Sequence, residues 1–153
     1  MRDLMPLISR DPDLELYREM NGEFEGYLHR WCLIPRNKQR NVYIHRILSA
    51  DENMLHDHPW DFESIILSGG YLEQTESGTE RHKKGDRFHR KAADLHRIVS
   101  VQPDTWTLVI TGPVVRNWGF MIDGAWCHYD DPMAKVREVK SIARNGYFDG
   151  DDT

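Results

Sequence analysis

Two histidines and two carboxylates lie close together in the segment His56-Asp57-His58-Pro59-Trp60-Asp61-Phe62-Glu63. Residues two apart in a strand project from the same face, so we expect His56 and His58 to present their imidazoles to one site. Glu63 follows His58 by five residues, which leaves the chain room to turn and bring a carboxylate beside them. Asp61 is the alternative carboxylate, because it shares strand parity with Glu63 and lies nearer to His58.

His96 is a further candidate ligand, located after Gly85-Asp86 and the short strand expected at Arg87–Arg90. Three neutral imidazoles and one carboxylate suit Fe(II), Mn, Ni, Co or Zn. Such a set leaves coordination positions open for substrate or water. A pair of exposed histidines on an edge strand would have the same His-x-His spacing, so the metal interpretation depends on all four residues together.

Short strands separated by turns must position these residues. The sequence predicts them at Tyr27–Ile34, Asn41–Leu48, Phe62–Leu67, Tyr71–Gln74, Arg87–Arg90, His96–Val101, Thr105–Thr111, Val114–Ile122 and Trp126–Tyr129. Asp123-Gly124 is a hairpin dipeptide between the last two strands. Short helices are expected only near the ends, from Asp11-Pro12-Asp13 to Met20 and over Pro132–Ala143. This spacing favours a β-sandwich or small barrel.

The two histidine segments resemble the two motifs of the cupin superfamily. The first motif is Gly, five residues, His-x-His, three or four residues, Glu, six residues, Gly; the second is Gly, five residues, Pro-x-Gly, two residues, His, three residues, Asn. Every ligand position of both motifs is matched, by His56, His58, Glu63 and His96. The departures affect turn positions and stand at Ala50, Lys91, Ala93 and Ser100.

This resemblance covers roughly residues 41–112 and implies a mainly all-β cupin fold, a double-stranded β-helix or jelly-roll barrel. It implies one domain over residues 1–153, with an N-terminal extension 1–40 and a C-terminal hairpin and helix over 113–153. The phrases HDHPWDF, LSGGY and WGF are similar to small uncharacterised cupin proteins, some of them encoded by bacteriophages.

A basic stretch precedes His96. Between Arg81 and Arg97 the chain has seven Lys and Arg residues against two aspartates, an excess that would attract an anionic substrate. Arg87 and His89 share one strand face and Phe88 and Arg90 the other, so one arginine is expected to line the barrel and grip a carboxylate or phosphate. The alternative is a solvated outer face.

Two residues are candidates for proton transfer, Tyr71 and His89. Tyr71 follows Gly70 in the strand after Glu63 and would donate its hydroxyl to a bound oxygen, or else belongs to the core. His45 is a weaker candidate for an outer partner that fixes the tautomer of a metal-bound imidazole.

The resemblance leads first to an iron-dependent dioxygenase, with Fe(II) preferred and Mn, Ni or Zn as alternatives. The second hypothesis is a non-redox isomerase, epimerase or lyase acting on a phosphorylated or sugar-like anion. A third is a cupin that binds or sequesters a ligand without catalysis. A 2-oxoglutarate oxygenase is disfavoured, because its usual His-x-Asp is replaced by His-x-His.

The whole chain has a net charge of −5 and two cysteines, Cys32 and Cys127. An acidic chain argues against general nucleic-acid binding, and no apolar run is long enough for a membrane span. The first residues lack the apolar region of a signal peptide, and two cysteines make no disulfide framework, so we expect a cytoplasmic protein. We also expect a homodimer through the strand at Tyr27–Ile34, since small barrels often cover exposed edges in this way.

Overall fold

A computed structural model of the chain describes residues 16–17, 28–51 and 53–131. Every regular element in these ranges is a strand, as the β-branched and aromatic sequence predicts. The strands are β1 (Leu16–Tyr17), β2 (Leu28–Cys32), β3 (Val42–Ile47), β4 (Phe62–Ser68), β5 (Gly70–Thr75), β6 (Gly78–Lys83), β7 (Arg87–Arg90), β8 (His96–Val101), β9 (Thr105–Thr111), β10 (Gly119–Ile122) and β11 (Ala125–His128). Within the same ranges there is no helix of the length and apolarity that a membrane crossing requires.

The strands form two sheets and a hairpin, all with antiparallel pairing. One sheet has the order β1-β2-β3-β9-β4-β7, the other has the order β6-β5-β8, and β10 pairs with β11. The segment before β4 connects the second sheet to the hairpin, because His56 forms isolated bridges with both His96 and Phe120. His56 therefore lies between β8 and β10, at the point where the three units meet.

The two sheets pack face to face around a shared core. Along β9 the side chains alternate between buried and half-buried, the pattern of a strand with one face in a core. The main core cluster joins Leu28, Ile47 and Ile66 of the larger sheet to Tyr71 and Ile98 of the smaller one. This two-sheet antiparallel packing confirms the jelly-roll type of fold that the sequence predicts.

The two strands of the β10–β11 hairpin lie unusually close to each other. Asp123 and Gly124 have φ angles of 50° and 81°, as a type I′ turn requires. A Cβ atom at position 119 would clash with the backbone oxygen of Cys127, so only glycine allows the two strands to approach this closely.

The predicted strands at Arg87–Arg90, His96–Val101 and Thr105–Thr111 are confirmed with the same bounds. The strand predicted from Val114 begins only at Gly119, because the amide of Val115 donates to the Pro59 carbonyl in a loop contact instead.

Strand β6 was not predicted from the sequence. The prediction of an N-terminal helix is wrong at the two residues of that segment that the structure describes. Leu16 and Tyr17, inside the predicted N-terminal helix, pair with β2 as a short strand, because tertiary pairing outweighs local helix propensity. The rest of that segment and the helix predicted at Pro132–Ala143 lie outside the described residues.

Candidate metal centre

Three of the predicted ligands come together inside the barrel. Each of His56, His58 and His96 offers a ring nitrogen, and these atoms all lie within 4.8 Å of one another. The ring centroids are 4.8 Å apart for His56 and His96, 4.9 Å for His58 and His96, and 5.1 Å for His56 and His58. The imidazoles thus converge on a single point from two separate segments of the chain.

Backbone pairing sets this convergence. The amide of His56 donates to the His96 carbonyl at 3.0 Å, and the amide of His96 donates back to the His56 carbonyl at 3.0 Å. The amide of His58 donates to the carbonyl of Ala92 at 3.0 Å. Because His56 and His58 are two residues apart in an extended segment, both rings project toward β8.

Two of the three histidines, His56 and His58, are in the neutral form that binds metals. Burial lowers the pKa of His56 to about 4. Burial and the neighbouring imidazole of His96 hold the pKa of His58 well below its usual value. Neutral imidazoles at physiological pH keep a lone pair for coordination.

Two ring nitrogens of the cluster are available to coordinate a metal ion. Nδ1 of His58 and Nε2 of His96 are buried and, among the described residues, accept or donate no hydrogen bond. Buried polar atoms are rarely left in this condition. A divalent metal ion on three imidazole nitrogens would satisfy them, so the residues present fit such an ion.

Glu63, the predicted carboxylate ligand, does not lie in this cluster. Phe62 is buried and its ring lies 4.8 Å from that of His58, so Phe62 takes the inward position at the start of β4. Glu63 is the next residue and therefore projects from the opposite face, where it forms an ion pair with Arg87.

The alternative carboxylate, Asp61, is also outside the cluster. Its side chain is 43% exposed and lies 3.7 Å from the Lys91 ammonium. Its Oδ1 accepts a hydrogen bond of 2.8 Å from the amide of Ala92. Asp61 therefore fixes the turn that precedes His96 instead of offering an oxygen to the three imidazoles.

The carboxylate nearest to the cluster is Glu73 of β5, which the sequence did not indicate as a site residue. It is fully buried, and its Oε2 lies 2.7 Å from Nδ1 of His96. Its Oε1 lies 3.0 Å from Nε2 of His82 and forms an ion pair with Arg90. Burial alone would raise the pKa of Glu73, but the hydrogen bonds from His82, His96 and Arg90 outweigh it and hold that pKa well below its usual value.

Arg87, Arg90 and His89 are divided between the two faces of β7. Arg87 is 64% exposed and pairs with Glu63, and His89 is exposed on the same outer face. Arg90 lies on the inner face, as one of the two predicted arrangements requires, but its guanidinium is paired with Glu73 and Glu80. The structure thus brings neither Arg87 nor His89 to the three histidines, and it brings Arg90 only to Glu73 behind them.

Tyr71 belongs to the main core, the second of the two roles predicted for it. Its ring lies 5.3 Å from that of His82 and 6.4 Å from that of Phe88. Burial raises the pKa of its hydroxyl well above the usual value, which makes it a poor proton donor or acceptor at neutral pH.

His45 was predicted as an outer partner of a metal-binding imidazole. Its Nε2 accepts a hydrogen bond of 2.8 Å from Nε of Arg30. Burial, with a smaller contribution from Arg30, holds its pKa well below the usual value. The side chain that hydrogen-bonds the His96 ring is thus Glu73 and not His45.

Aromatic side chains cover one side of the cluster and were also missed by the sequence analysis. Trp60 stacks on His58 with ring centroids 5.2 Å apart, and Phe62 contacts both His58 and His96. Tyr43 and Val109 pack against Phe62. A signal for this wall was present in the sequence, because Trp60 and Phe62 continue the parity of His56 and His58.

Comparison with known proteins shows the fold. No protein-family model matches the chain, and a search of curated proteins finds no relative. Among solved structures, an RmlC-like cupin from Shewanella frigidimarina has a TM-score of 0.51 at 17% identity, over 68% of this chain and 86% of that one. The DMSP lyase DddQ from Ruegeria pomeroyi has a TM-score of 0.54 at 16% identity, over 82% of this chain and 76% of its own.

A third similar structure is Pac13 from Streptomyces, a nucleoside dehydratase, with a TM-score of 0.53 at 7% identity over 71% of this chain and 84% of that one. These likenesses, together with the two-sheet antiparallel topology, show that the chain has the fold of the cupin superfamily.

Proposed function

We propose that this protein is a metal-dependent enzyme that catalyses a non-redox elimination or isomerisation of a small anionic molecule. The observation that carries the proposal is the set of three buried imidazoles, His56, His58 and His96, whose ligand atoms lie within 4.8 Å of one another. No carboxylate oxygen belongs to that set among the described residues.

The composition of the site favours Lewis-acid chemistry. Three neutral ligands leave the full double charge on a divalent ion, which would polarise a carbonyl or phosphoryl oxygen and attract an anion. The chain itself contributes the geometry and the exclusion of water. Phe62 and Trp60 cover His58 with apolar rings, and this lowers the local dielectric constant and strengthens the interactions of any charge held there.

The activities named for two proteins with the same fold support an elimination reaction. One is a DMSP lyase and the other a nucleoside dehydratase, and both names denote bond cleavage without oxidation. The identities of 16% and 7% limit this support to the reaction class. The substrate we propose is therefore defined only by its chemistry, as a small anion with an oxygen that can bind the metal.

An iron-dependent dioxygenase is the second candidate. Three protein ligands would leave a bound iron ion with open coordination positions, which could take a substrate and dioxygen together. This feature supports the dioxygenase without requiring it, because the same vacancies also serve a bidentate anion.

The metal site is tested by titrating the full-length protein with Co(II) and recording its visible absorption. We expect one ion per chain and a coordinated spectrum, with affinity reduced at least about tenfold in His58→Gln and in His96→Gln. His89→Gln is the matched control, because His89 is exposed on the outer face of β7. The metal role fails if wild type binds no Co(II), or if all three variants bind it equally well.

The reaction class is tested on Zn-loaded, Mn-loaded and Fe-loaded protein with a panel of hydroxy acids, keto acids and sugar phosphates. Elimination or isomerisation predicts substrate loss without oxygen uptake. Oxygen uptake confined to the iron-loaded protein would instead establish the dioxygenase. Tight binding of a panel member without turnover in any form would favour the sequestering role.

A further inference from the structure

We infer that Glu73 is the positioning residue of the metal site and that it fixes His96 in the tautomer that presents Nε2 to the ion. This inference rests on the metal role proposed above. It assigns a function to a buried carboxylate that contacts the cluster only through His96.

The tautomer follows from the hydrogen-bonding chemistry of the two side chains. Oε2 of Glu73 lies 2.7 Å from Nδ1 of His96, and both side chains are buried. An ionised carboxylate only accepts hydrogen bonds, so Nδ1 must carry the proton. A neutral imidazole has one N–H, and Nε2 therefore keeps its lone pair. Nε2 is the buried atom of His96 for which no hydrogen-bond partner is found among the described residues.

Glu73 is itself held by donors from two further strands. His82 of β6 donates to Oε1 at 3.0 Å, and its side chain is 3% exposed. Arg90 of β7 donates to both oxygens, with its Nε 3.3 Å from Oε2. Hydrogen-bond donors on β6, β7 and β8 hold the carboxylate on more than one side. They would prevent it from rotating toward a bound ion. The charge of Arg90 also offsets that of Glu73, so the buried carboxylate is not an uncompensated anion.

The inward position of β4 is occupied by a residue that cannot bind a metal ion. Phe62 stands there and offers no oxygen, so no carboxylate of β4 reaches the cluster. A carboxylate that accepts from Nδ1 increases the donor strength of the imidazole and fixes its ring plane. Glu73 can therefore influence the ion through the His96 ring, without direct contact.

A second metal site is the competing interpretation of the same residues. Glu73, Glu80 and His82 offer ligand atoms within 4.8 Å of one another. However, the guanidinium of Arg90 forms ion pairs with both carboxylates and occupies the space between them as a cation. We therefore interpret this group as the support of Glu73 and not as a second ion site.

The first experiment measures the tautomer directly in the metal-free wild-type protein. Two-bond ¹⁵N–¹H correlation spectra of ¹⁵N-histidine-labelled protein at about pH 8, above the ordinary histidine pKa, distinguish the two neutral forms. We expect His96, assigned by its loss in His96→Gln, to carry its proton on Nδ1. A proton on Nε2 of His96 would overturn the inference, and this readout requires neither metal nor a Glu73 variant.

The second experiment compares Glu73→Gln with Glu80→Gln in the Co(II) titration. Both variants remove one negative charge next to Arg90, but Glu80 is 63% exposed and pairs with Arg90 and not with His96. We expect Glu73→Gln to weaken Co(II) binding about 10- to 100-fold and to produce a mixture of His96 tautomers, while Glu80→Gln stays within about twofold of wild type. Unchanged affinity and tautomer in Glu73→Gln would contradict the positioning role.

The outcomes separate this inference from the proposed function. Absence of Co(II) binding in wild type would refute the metal role, and the tautomer measurement would still decide whether Glu73 fixes His96. Two Co(II) ions per chain, with the weaker one lost in both Glu73→Gln and Glu80→Gln, would replace the positioning role by a second metal site.

Discussion

At the scale of single residues, the buried hydroxyl of Tyr71 makes a prediction about alkaline stability. Burial raises its pKa well above the value of about 10 at which an unfolded tyrosine titrates. A pKa that is higher in the folded state gives stability that is complete below about pH 10 and is lost as the pH rises from there toward the folded-state pKa. The loss from this one group reaches at most about 1.4 kcal/mol per pH unit.

The measurement is urea unfolding between about pH 8 and pH 11 for wild type and Tyr71→Phe. We expect Tyr71→Phe to lose about 1 kcal/mol at the lower pH, because the hydrogen bond between Tyr71 and Ser64 is removed, and to decline less steeply as the pH rises. Tyr129→Phe is the control, since Tyr129 is 41% exposed. Parallel curves for wild type and Tyr71→Phe would contradict the assigned burial of the hydroxyl charge.

The residues of the site differ in how far the sequence could reveal them. His56, His58 and His96 were accessible because their types and spacing are unusual enough to predict a common site. The inward-facing residue of β4 could not be predicted, because the motif allows either three or four residues between the second histidine and the carboxylate. This choice decides whether Phe62 or Glu63 faces inward. Only the register of β4 against β9 settles that parity. Glu73 gave no signal, because it begins the polar run Glu73-Gln74-Thr75 and looks like an exposed residue in the sequence.

At the scale of elements, Asp57 connects the histidine segment to the β10–β11 hairpin. Its carboxylate is buried and accepts from the Gly119 amide at 2.8 Å and from the Trp126 indole at 2.9 Å. It also forms an ion pair with Arg116. Because Asp57 lies between His56 and His58, the same residue anchors the hairpin and limits the motion of both ligands.

We expect Asp57→Asn to reduce the free energy of unfolding by about 2–4 kcal/mol, because one amide N–H would then face the donors Trp126 and Arg116. Amide exchange should accelerate in β10 and β11 more than in β9. Glu76→Gln, with an exposed side chain in the β5–β6 turn, is the charge-matched control. Uniform acceleration over all strands would show that Asp57 supports global stability and not the hairpin.

Element prediction from the sequence succeeded at β9 and failed at β6, and the two strands differ in their sequence pattern. β9 alternates between buried and half-buried residues, and its bounds were predicted without error. β6, with the sequence GTERHK, has a single buried residue, His82, and its polar residues gave no alternating signal. It forms because it pairs with the edge of β5, and this pairing depends on the tertiary structure and not on the local sequence.

At the scale of the whole molecule, the metal would link the two sheets. His56 and His58 precede β4 of the larger sheet, whereas His96 begins β8 of the smaller one. An ion bound by all three is held only by the folded state, so it should stabilise that state by mass action, by about 2.7 kcal/mol at a concentration 100 times its dissociation constant. For a chain of this size we expect the melting temperature to rise by about 5–10 °C, and a chelator to reverse the rise. In His96→Gln the rise should disappear while the metal-free melting temperature stays near that of wild type, because the cores of both sheets are unchanged. A rise of equal size in His96→Gln would mean that the ion binds within one segment and does not link the two sheets.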